Sequence, residues 1–347
     1  MKNLVFFLIL CLCHCPPSSL KSQTKSSSKT FVKGRLMEKE SRNPIRFAHI
    51  FIEGTLVGTT TGENGYFEIH IDANSSKPLI ASAIGFESQS FNVSNFSQDL
   101  NIYLEKLIYM LDDVEIKADD LPNKRKLRMF ESYFLGLSDN AANSEIVNPD
   151  DIKLFYDKKV KTLYASSTEP ILINNYSLGY KIIYYLKDFE ASQNDIEYTG
   201  NYFFEELNMP DRKQHETARR RKETYKGSRL HLVRSIWSDQ LRKEGFTLFY
   251  NNYRKVKLKD ISSLLPTGEK VICFNQGVII NYGKSKYNQV HFGDSDPVEK
   301  SYVTQIDGCT KIAKDGYYDP TSIRWSGNIA EQRVADLLPY EYSPDKK

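Results

Sequence analysis

Cysteine is scarce in this chain and unevenly placed. Three of the five cysteines, Cys11, Cys13 and Cys15, lie in the first 15 residues, so only Cys273 and Cys309 belong to the body of the protein. Two cysteines do not form the disulfide framework that holds small secreted domains together. The fold must therefore rest on a hydrophobic core, and the sequence leaves open whether Cys273 and Cys309 pair or remain buried thiols.

Histidine is scarce as well, and no zinc-ligand spacing is present among the six. His215 precedes Glu216, but position i+4 is Arg219, so the two-histidine helix motif of zinc peptidases is missing. His291 and Asp294 form a short-range pair that a solvated acidic turn explains better than a metal site, because one imidazole and scattered carboxylates do not specify a metal. We predict no bound metal and no cofactor.

Motifs for nucleophilic and phosphate chemistry are also missing. Gly-x-Ser-x-Gly does not occur, and Lys226-Gly227-Ser228 lacks the strand-turn-helix context of a nucleophile elbow. The chain has no glycine-rich phosphate loop either. The sequence therefore predicts a protein that is not an enzyme.

The chain has no strong excess of one charge, since its net charge is +3. A hydrophobic fraction of 40% and a charged fraction of 26% are typical of ordinary soluble globular proteins. The 22 Tyr and 19 Phe favour β-rich structure, and a length of 347 residues favours two domains. Any electrostatic partner must be recognised by a local feature.

An apolar run from Leu4 to Cys13 is too short to span a membrane and is followed by polar sequence. It indicates an export signal at residues 1–22, followed by a Ser- and Lys-rich tether at 23–30. A lipid anchor on Cys11, Cys13 or Cys15 is the alternative. The residues before Cys15 are not the small ones that lipoprotein signals usually carry, so we favour an exported chain without a transmembrane span.

Short alternating apolar runs, separated by turn residues, recur between Phe31 and Leu104. This spacing favours an antiparallel β-sandwich, and the stretch from Ile80 to Ile84 suits a buried central strand. Seven strands are expected, near residues 31–36, 46–52, 55–61, 65–71, 78–84, 86–93 and 100–105.

A tight hairpin turn is expected at Glu63-Asn64-Gly65, between two of these strands. Gly62, Asn64 and Gly65 are the structural residues of the turn. Gly65 should adopt positive φ, a conformation in which other residues are strained.

Two segments carry a resemblance to a known family: Pro44-Ile45-Arg46-Phe47-Ala48-His49-Ile50 and Gly58-Thr59-Thr60-Thr61-Gly62-Glu63-Asn64-Gly65-Tyr66-Phe67. They resemble the carboxypeptidase regulatory-like domain, a transthyretin-like sandwich. The resemblance covers residues 31–106 and implies a seven-stranded β-sandwich. It implies no function, because one fold serves many functions.

The segment after the sandwich, Leu111-Asp112-Asp113-Val114-Glu115-Ile116, is similar in its first half to the segment that outer-membrane transporters offer to the energy-coupling protein TonB. Glu115 interrupts the apolar second half, so an edge strand and linker are favoured over a docking strand. The linker spans 107–145 and includes an amphipathic helix near 121–137, whose apolar positions are Leu127, Phe130, Phe134 and Leu137.

Residues 146–341 are expected to form an α+β domain. Strand patterns up to residue 204 give way to helical spacing from Asp211 to Glu244, and strands resume at 246–250, 271–274 and 277–282. Parts of this region, such as Tyr198 to Leu207, resemble bacterial proteins that contain a carboxypeptidase-like regulatory domain. That resemblance implies a Gram-negative envelope protein without an established function.

The helical stretch carries the one local excess of positive charge, which includes Arg219, Arg220, Arg221, Lys222 and Arg229. Adjacent helical residues point in successive directions, so the run cannot serve a single internal partner. It is either a solvated helix face or a contact for an anionic glycan, lipopolysaccharide phosphate or an acidic protein surface. Export argues against nucleic acid as the partner.

These observations predict a mainly β protein of the periplasm or outer membrane that acts as a non-catalytic envelope binding or assembly module. The alternative is a hydrolase of envelope polymers with its site in the C-terminal α+β domain. Such a site would need a cleft with convergent groups drawn from Glu205, Glu206, Arg220, His231 or Asp294.

Overall fold

The computed structural model describes residues 29–72, 75–92, 99–107, 121–193, 195–283 and 301–345. The export signal, most of the tether, the segment 109–118 and the pair His291 and Asp294 lie outside the described residues. The described chain is mainly β, with an N-terminal sandwich followed by an α+β region. The predicted fold class is confirmed.

Seven strands form the sandwich: β1 (Lys29–Glu38), β2 (His49–Ile52), β3 (Gly58–Thr60), β4 (Tyr66–Asp72), β5 (Leu79–Ser82), β6 (Gln89–Phe91) and β7 (Asp99–Leu104). One sheet has the order β4-β1-β7 and the other the order β3-β2-β5-β6. β1 and β7 are parallel, whereas the other pairs are antiparallel. Alternate residues such as Val32, Leu36, Ile69 and Ile102 lie buried between the sheets, and their removal from water holds the sheets together.

The α+β region begins with α1 (Asn123–Phe134), α2 (Asp139–Ala142), β8 (Ser144–Ile146), β9 (Ile152–Asp157), β10 (Thr162–Ser167), β11 (Ile171–Asn175), β12 (Tyr180–Ala191) and β13 (Ile196–Glu206). β12 pairs with β13 along one edge and with β11 and β10 along the other. α1 buries Phe130 and Phe134 against this sheet, so the helix predicted for the linker is part of the core of the α+β region. Leu137 was predicted on the same apolar stripe, but it lies beyond the helix and is 87% exposed.

The chain continues through α3 (Asp211–Tyr225), α4 (Arg229–Trp237), β14 (Phe246–Tyr250), α5 (Leu258–Ile261), β15 (Ser262–Leu264), β16 (Lys270–Ile272), β17 (Val278–Tyr282), β18 (Ser301–Gln305), β19 (Thr310–Ile312), β20 (Ile323–Gly327) and α6 (Asn328–Glu331). The strands form sheets of order β14-β17-β18-β20 and β15-β16-β19. α4 packs Leu232, Val233 and Ile236 into a core with these strands, separate from the core beneath α1.

Cys273 and Cys309 form a disulfide. Cys273 follows β16 and Cys309 precedes β19, and these two strands are antiparallel neighbours with Ile272 opposite Thr310. The pairing therefore brings the two Cα atoms within 4.5 Å, a separation that a disulfide can bridge. Of the two possibilities that the sequence leaves open, the structure has the paired one.

One face of the sandwich packs on the α+β region, and we call this contact the joint. Phe51 of β2 and Ile80 of β5 lie on the outer face of their sheet and pack against Ile183 of β12 and Phe203 of β13. The rings of Phe51 and Phe203 stack with 4.5 Å between centroids. Each buried apolar side chain of this size contributes about 1.5–3 kcal/mol, so the sandwich is firmly seated.

The turn between β2 and β3 adds backbone hydrogen bonds to the joint. Gly54 N donates to Tyr202 O and Phe204 N donates to Thr55 O, both at 2.8 Å. Tyr340, from the C-terminal segment, donates its N–H to Gly54 O at 3.0 Å. The turn thus pairs with the edge of β13 that faces away from β12, which satisfies backbone groups that would otherwise need water.

Candidate functional site

One end of the sheet β3-β2-β5-β6 carries exposed apolar side chains, Phe47, Ile84 and Leu107, which we call the loop end. His49 of β2 lies opposite Ser82 of β5, and Phe47 and Ile84 each lie two residues beyond that pair, at the same edge. Leu107 N donates to Gly85 O at 2.9 Å, which brings the third side chain to this edge. Their exposed fractions are 62%, 58% and 41%. Single exposed apolar residues are ordinary, but three at one edge make the loop end a candidate site.

Phe47 adopts a backbone conformation that bulky residues rarely take, with φ at +57°. Its neighbours impose this conformation. Phe47 N donates to Thr61 O at 3.0 Å, and the Thr61 hydroxyl accepts from Ala48 N at 2.9 Å and donates to Ile45 O at 2.8 Å. The fold therefore holds an exposed aromatic ring in a strained position, and such strain is typical of functional segments.

The turn at Gly62, Asn64 and Gly65 belongs to the same end of the sandwich. Gly62 N donates to Tyr66 O and Gly65 N to Gly62 O, both at 2.9 Å, and the Asn64 side chain accepts from Tyr66 N at 3.1 Å. Gly65 has φ of +69°, and a Cβ on it would lie 2.4 Å from Leu36 O. The turn is thereby fastened to β1 and gives the loop end a rigid base.

The three consecutive arginines of α3 have three different partners. Arg219 Nη1 lies 2.7 Å from Glu223 Oε1 within the helix, and Arg220 Nη1 lies 3.0 Å from Asp139 Oδ2 at the start of α2. The Arg221 guanidinium lies over the ring of Tyr180 at 3.9 Å. Arg221 also donates to Leu178 O at 2.7 Å, which ties α3 to the turn before β12.

The other two basic residues predicted for the anionic contact differ in exposure. Lys222 is exposed on α3, whereas Arg229 is half-buried at the start of α4 and donates to Gln332 O at 2.6 Å. Of the five predicted contacts, Arg219 and Lys222 are the ones whose charge faces water most fully. Arg220, Arg221 and Arg229 thus connect parts of the protein, whereas Arg219 and Lys222 are exposed.

The groups that a hydrolase cleft would need each have a separate ion-pair partner. Glu205 lies 3.5 Å from Lys181, Glu206 lies 3.6 Å from Arg221, and Arg220 pairs with Asp139. Asp294 lies outside the described residues. Among the residues that the structure describes, no three His, Cys, Asp or Glu side chains are grouped as a metal ion would require.

His231 is buried in α4, and both of its ring nitrogens are used. Nδ1 accepts a hydrogen bond from Gly227 N at 3.1 Å, so Nε2 carries the proton and donates to Glu244 Oε2 at 3.2 Å. Burial lowers the pKa of the imidazole, so the ring is neutral. Neither nitrogen has a lone pair left for a metal or a substrate proton, and the residue fastens α4 to the segment before β14.

Two titratable groups lie at the joint. The Glu53 carboxylate accepts from Tyr202 N at 3.4 Å, and burial raises its pKa to about 8. His49 Nδ1 is hydrogen-bonded to the Tyr185 hydroxyl, and burial lowers the pKa of its imidazole. The joint therefore favours the uncharged form of both side chains.

Sequence reasoning missed the loop end. Phe47 falls within the predicted strand 46–52, and Ile84 was predicted on a buried strand face, whereas it is 58% exposed. β5 ends at Ser82, two residues before the end of the predicted strand 78–84, and the chain turns at Gly85. Nothing in the local sequence marks Phe47 as exposed, because its neighbours Ile45 and Ala48 are buried.

Comparison with known families agrees with this architecture. Residues 32–116 match the family model described as the CarboxypepD_reg-like domain. The sandwich is a carboxypeptidase regulatory-like domain. The matched range contains all seven sandwich strands except the first residues of β1. The resemblance expected from the sequence is confirmed.

Other comparisons say less. No protein of curated function matches the chain. A 9R-lipoxygenase from Cyanothece PCC8801 is 13% identical with a TM-score of 0.18, and the match covers 60% of this chain and 48% of the lipoxygenase. A putative membrane-associated protein of unknown function from Bacteroides fragilis is 9% identical with a TM-score of 0.18, over 86% of this chain and 95% of that protein. Neither likeness supports an inference at such TM-scores.

Proposed function

We propose that this protein is a non-catalytic binding or assembly module of the cell envelope, whose regulatory-like sandwich presents its loop end to a partner protein. The observation that carries the proposal is the contrast within β2 and its flanks. Phe51 is buried in the joint, and Phe47, four residues earlier, is exposed and strained. A surface held rigidly in its binding conformation loses little conformational freedom when a partner docks.

The joint supports this role because it fixes the direction in which the loop end points. Backbone hydrogen bonds at Gly54 and Thr55 and the stacked rings of Phe51 and Phe203 leave the sandwich little freedom to rotate. A carboxypeptidase regulatory-like domain that packs on its neighbour in this way is suited to hold one partner at a defined angle to the α+β region.

The disulfide supports an exported location. Cys273–Cys309 bonds persist in oxidising compartments such as the periplasm and are rare in the cytosol. No described helix is long and apolar enough to cross a membrane. The proposed location is the periplasm or the outer membrane, to which the export signal predicted at residues 1–22 would direct the chain.

An anionic partner for α3 remains a separate prediction. Arg219 and Lys222 are its exposed members, while Arg221 and Arg229 hold backbone carbonyls and should be left intact in any test of binding. Replacing Arg219 and Lys222 with Gln should weaken retention on an anionic glycan or lipopolysaccharide at low salt. Salt screens exposed charges, so their attraction to an anionic partner is strongest there.

Site-specific photo-crosslinking in intact cells tests the loop end. A photoreactive amino acid at position 47 or 84 should give a discrete crosslinked protein, and Phe47→Glu in the background of a probe at 84 should abolish it. The matched control is a probe at Leu264, which is 70% exposed but lies on the α+β region. Equal crosslinking from positions 84 and 264, or none from 47 and 84, would exclude the loop end as the binding surface.

A further inference from the structure

Positive charge is concentrated in two elements other than α3. α1 contains four basic residues and one acidic residue, and the β9–β10 hairpin from Ile152 to Ser167 contains the same numbers, which gives each a net charge of +3. The whole chain also has a net charge of +3, so the remainder of the molecule is net negative. The net charge of the whole chain therefore does not reveal that positive charge is concentrated in these two elements.

The two elements are neighbours. α1 packs across β9 and β10, and Lys126 Nζ in the first turn of α1 donates to Leu154 O of β9 at 3.0 Å. The exposed cations of the helix therefore adjoin a hairpin that ends in Lys158-Lys159-Val160-Lys161. We call this combination the α1–hairpin surface.

Four exposed cations of the α1–hairpin surface have no carboxylate partner among the described residues. In the part of the chain that the structure describes, no carboxylate forms an ion pair with Arg125, Arg128, Lys159 or Lys161. Asp157, the acidic residue of the hairpin, accepts from Lys159 N at 2.7 Å and Val160 N at 3.4 Å, so its carboxylate shapes the turn. The three consecutive arginines of α3 differ, because each of them has a partner.

This arrangement is unfavourable for the isolated protein. Lys124 and Arg125 lie in the first turn of α1, where the helix dipole is positive and no acidic residue is present. Lys124 and Arg128 are like charges four residues apart on one face. Lys161 has φ of +55°, a conformation that lysine rarely adopts. An external layer of negative charge would relieve the electrostatic part of this cost.

The hairpin tip suits a lipid surface better than a small anion. Val160 is 59% exposed between Lys159 and Lys161, so an exposed apolar side chain is flanked by cations in the sequence. Lysine with a neighbouring apolar side chain is the combination that lies at the boundary between anionic headgroups and acyl chains. A projecting tip also offers no enclosure for a single phosphate.

We infer that the α1–hairpin surface docks the protein on an anionic lipid bilayer. The inference is independent of the loop end, because it concerns different elements and a different class of partner. Docking would rest on many weak headgroup contacts, each screened by salt, with Val160 at the acyl boundary.

Vesicle co-sedimentation of the mature chain tests the inference. The parent should bind vesicles with about 30% phosphatidylglycerol, should not bind pure phosphatidylcholine, and should lose affinity between about 50 and 500 mM salt. Replacing Arg125, Arg128, Lys159 and Lys161 with Gln should reduce affinity at least about tenfold. The matched control replaces four exposed cations that belong to neither proposed contact, Arg242, Lys243, Lys255 and Lys259, with Gln and should change affinity less than about twofold. Circular dichroism melts check that each variant is folded.

Four results would overturn the inference. The parent could fail to bind the anionic vesicles, or both fourfold variants could lose affinity equally, which would mean that net charge alone is responsible. The control variant could lose affinity while the α1–hairpin variant keeps it, which would move the lipid contact to residues 242–259. Finally, a short duplex RNA could compete with the vesicles at equal charge concentration while binding more tightly than they do, which would make nucleic acid the preferred partner.

Discussion

The joint and the loop end show how one type of residue can serve opposite purposes. At the joint, Phe51 is fully buried against Phe203 and helps to fix the sandwich on the α+β region. At the loop end, Phe47 is mostly exposed, and the fold keeps it there in a strained conformation. Burial of Phe51 stabilises the joint, whereas the apolar surface of Phe47 remains available for burial by a partner.

Phe51→Ala should give the largest effect. The change empties space between the sandwich and β13, and loss of a buried Phe costs about 3–5 kcal/mol. Phe47→Ala is the matched control and should change stability by less than about 0.5 kcal/mol, because an exposed ring makes few contacts. Urea denaturation of the mature chain measures both. Similar losses of stability in the two variants would contradict the difference between the joint and the loop end.

Gly65→Val should destabilise the sandwich by about 1–3 kcal/mol, because the residue has positive φ and a Cβ there would meet Leu36 O. Gly85→Ala at the same end is the control. It also has positive φ, but nothing lies within 4 Å of a Cβ, so it isolates the conformational cost. We expect Gly65→Val to lower the melting temperature more than Gly85→Ala. The reverse order would contradict the close packing of the turn on β1.

Glu53→Gln should stabilise the protein at neutral pH. The folded-state pKa of Glu53 is about 8, above its ordinary value of 4.5. At pH 4 the carboxyl is protonated in both states and costs nothing. As pH rises from 4.5 towards 8 the unfolded state loses the proton while the folded state keeps it, so stability falls.

Because Gln cannot ionise, the variant should gain about 1–2 kcal/mol over the parent at pH 7, after allowance for solvent screening, and nothing at pH 4. Thermal melts of both proteins across this range provide the measurement. A gain that is the same at pH 4 and pH 7 would show that the effect is not one of ionisation.

The sandwich could be predicted closely from sequence because its signals are local. Alternation with period two and turn residues such as Asn64 and Gly65 placed all seven strands. The helical spacing of Phe130 and Phe134 also identified α1, although its C-terminal end was set too late, at Leu137.

The joint and the surfaces could not be predicted, because they depend on contacts distant in sequence. Phe51 contacts Phe203, about 150 positions away, so its burial against β13 could not be deduced from the local sequence. The basic run of α3 was considered as an anionic contact from the sequence. In the structure, however, Arg220 pairs with Asp139 and Arg221 lies over the ring of Tyr180. Among the described residues, the less conspicuous Arg125, Arg128, Lys159 and Lys161 are the ones without a carboxylate partner.

Cleavage of the chain between the two parts tests the central claim, that the joint holds the sandwich and points its loop end outwards. A protease site introduced between Asp112 and Asp113 would separate the covalent chain after the sandwich and before α1. If the joint is as described, the two fragments should co-elute in size-exclusion chromatography after cleavage, and Phe51→Ala should make them separate. Separate elution of the parent fragments, each still folded by circular dichroism, would contradict the account.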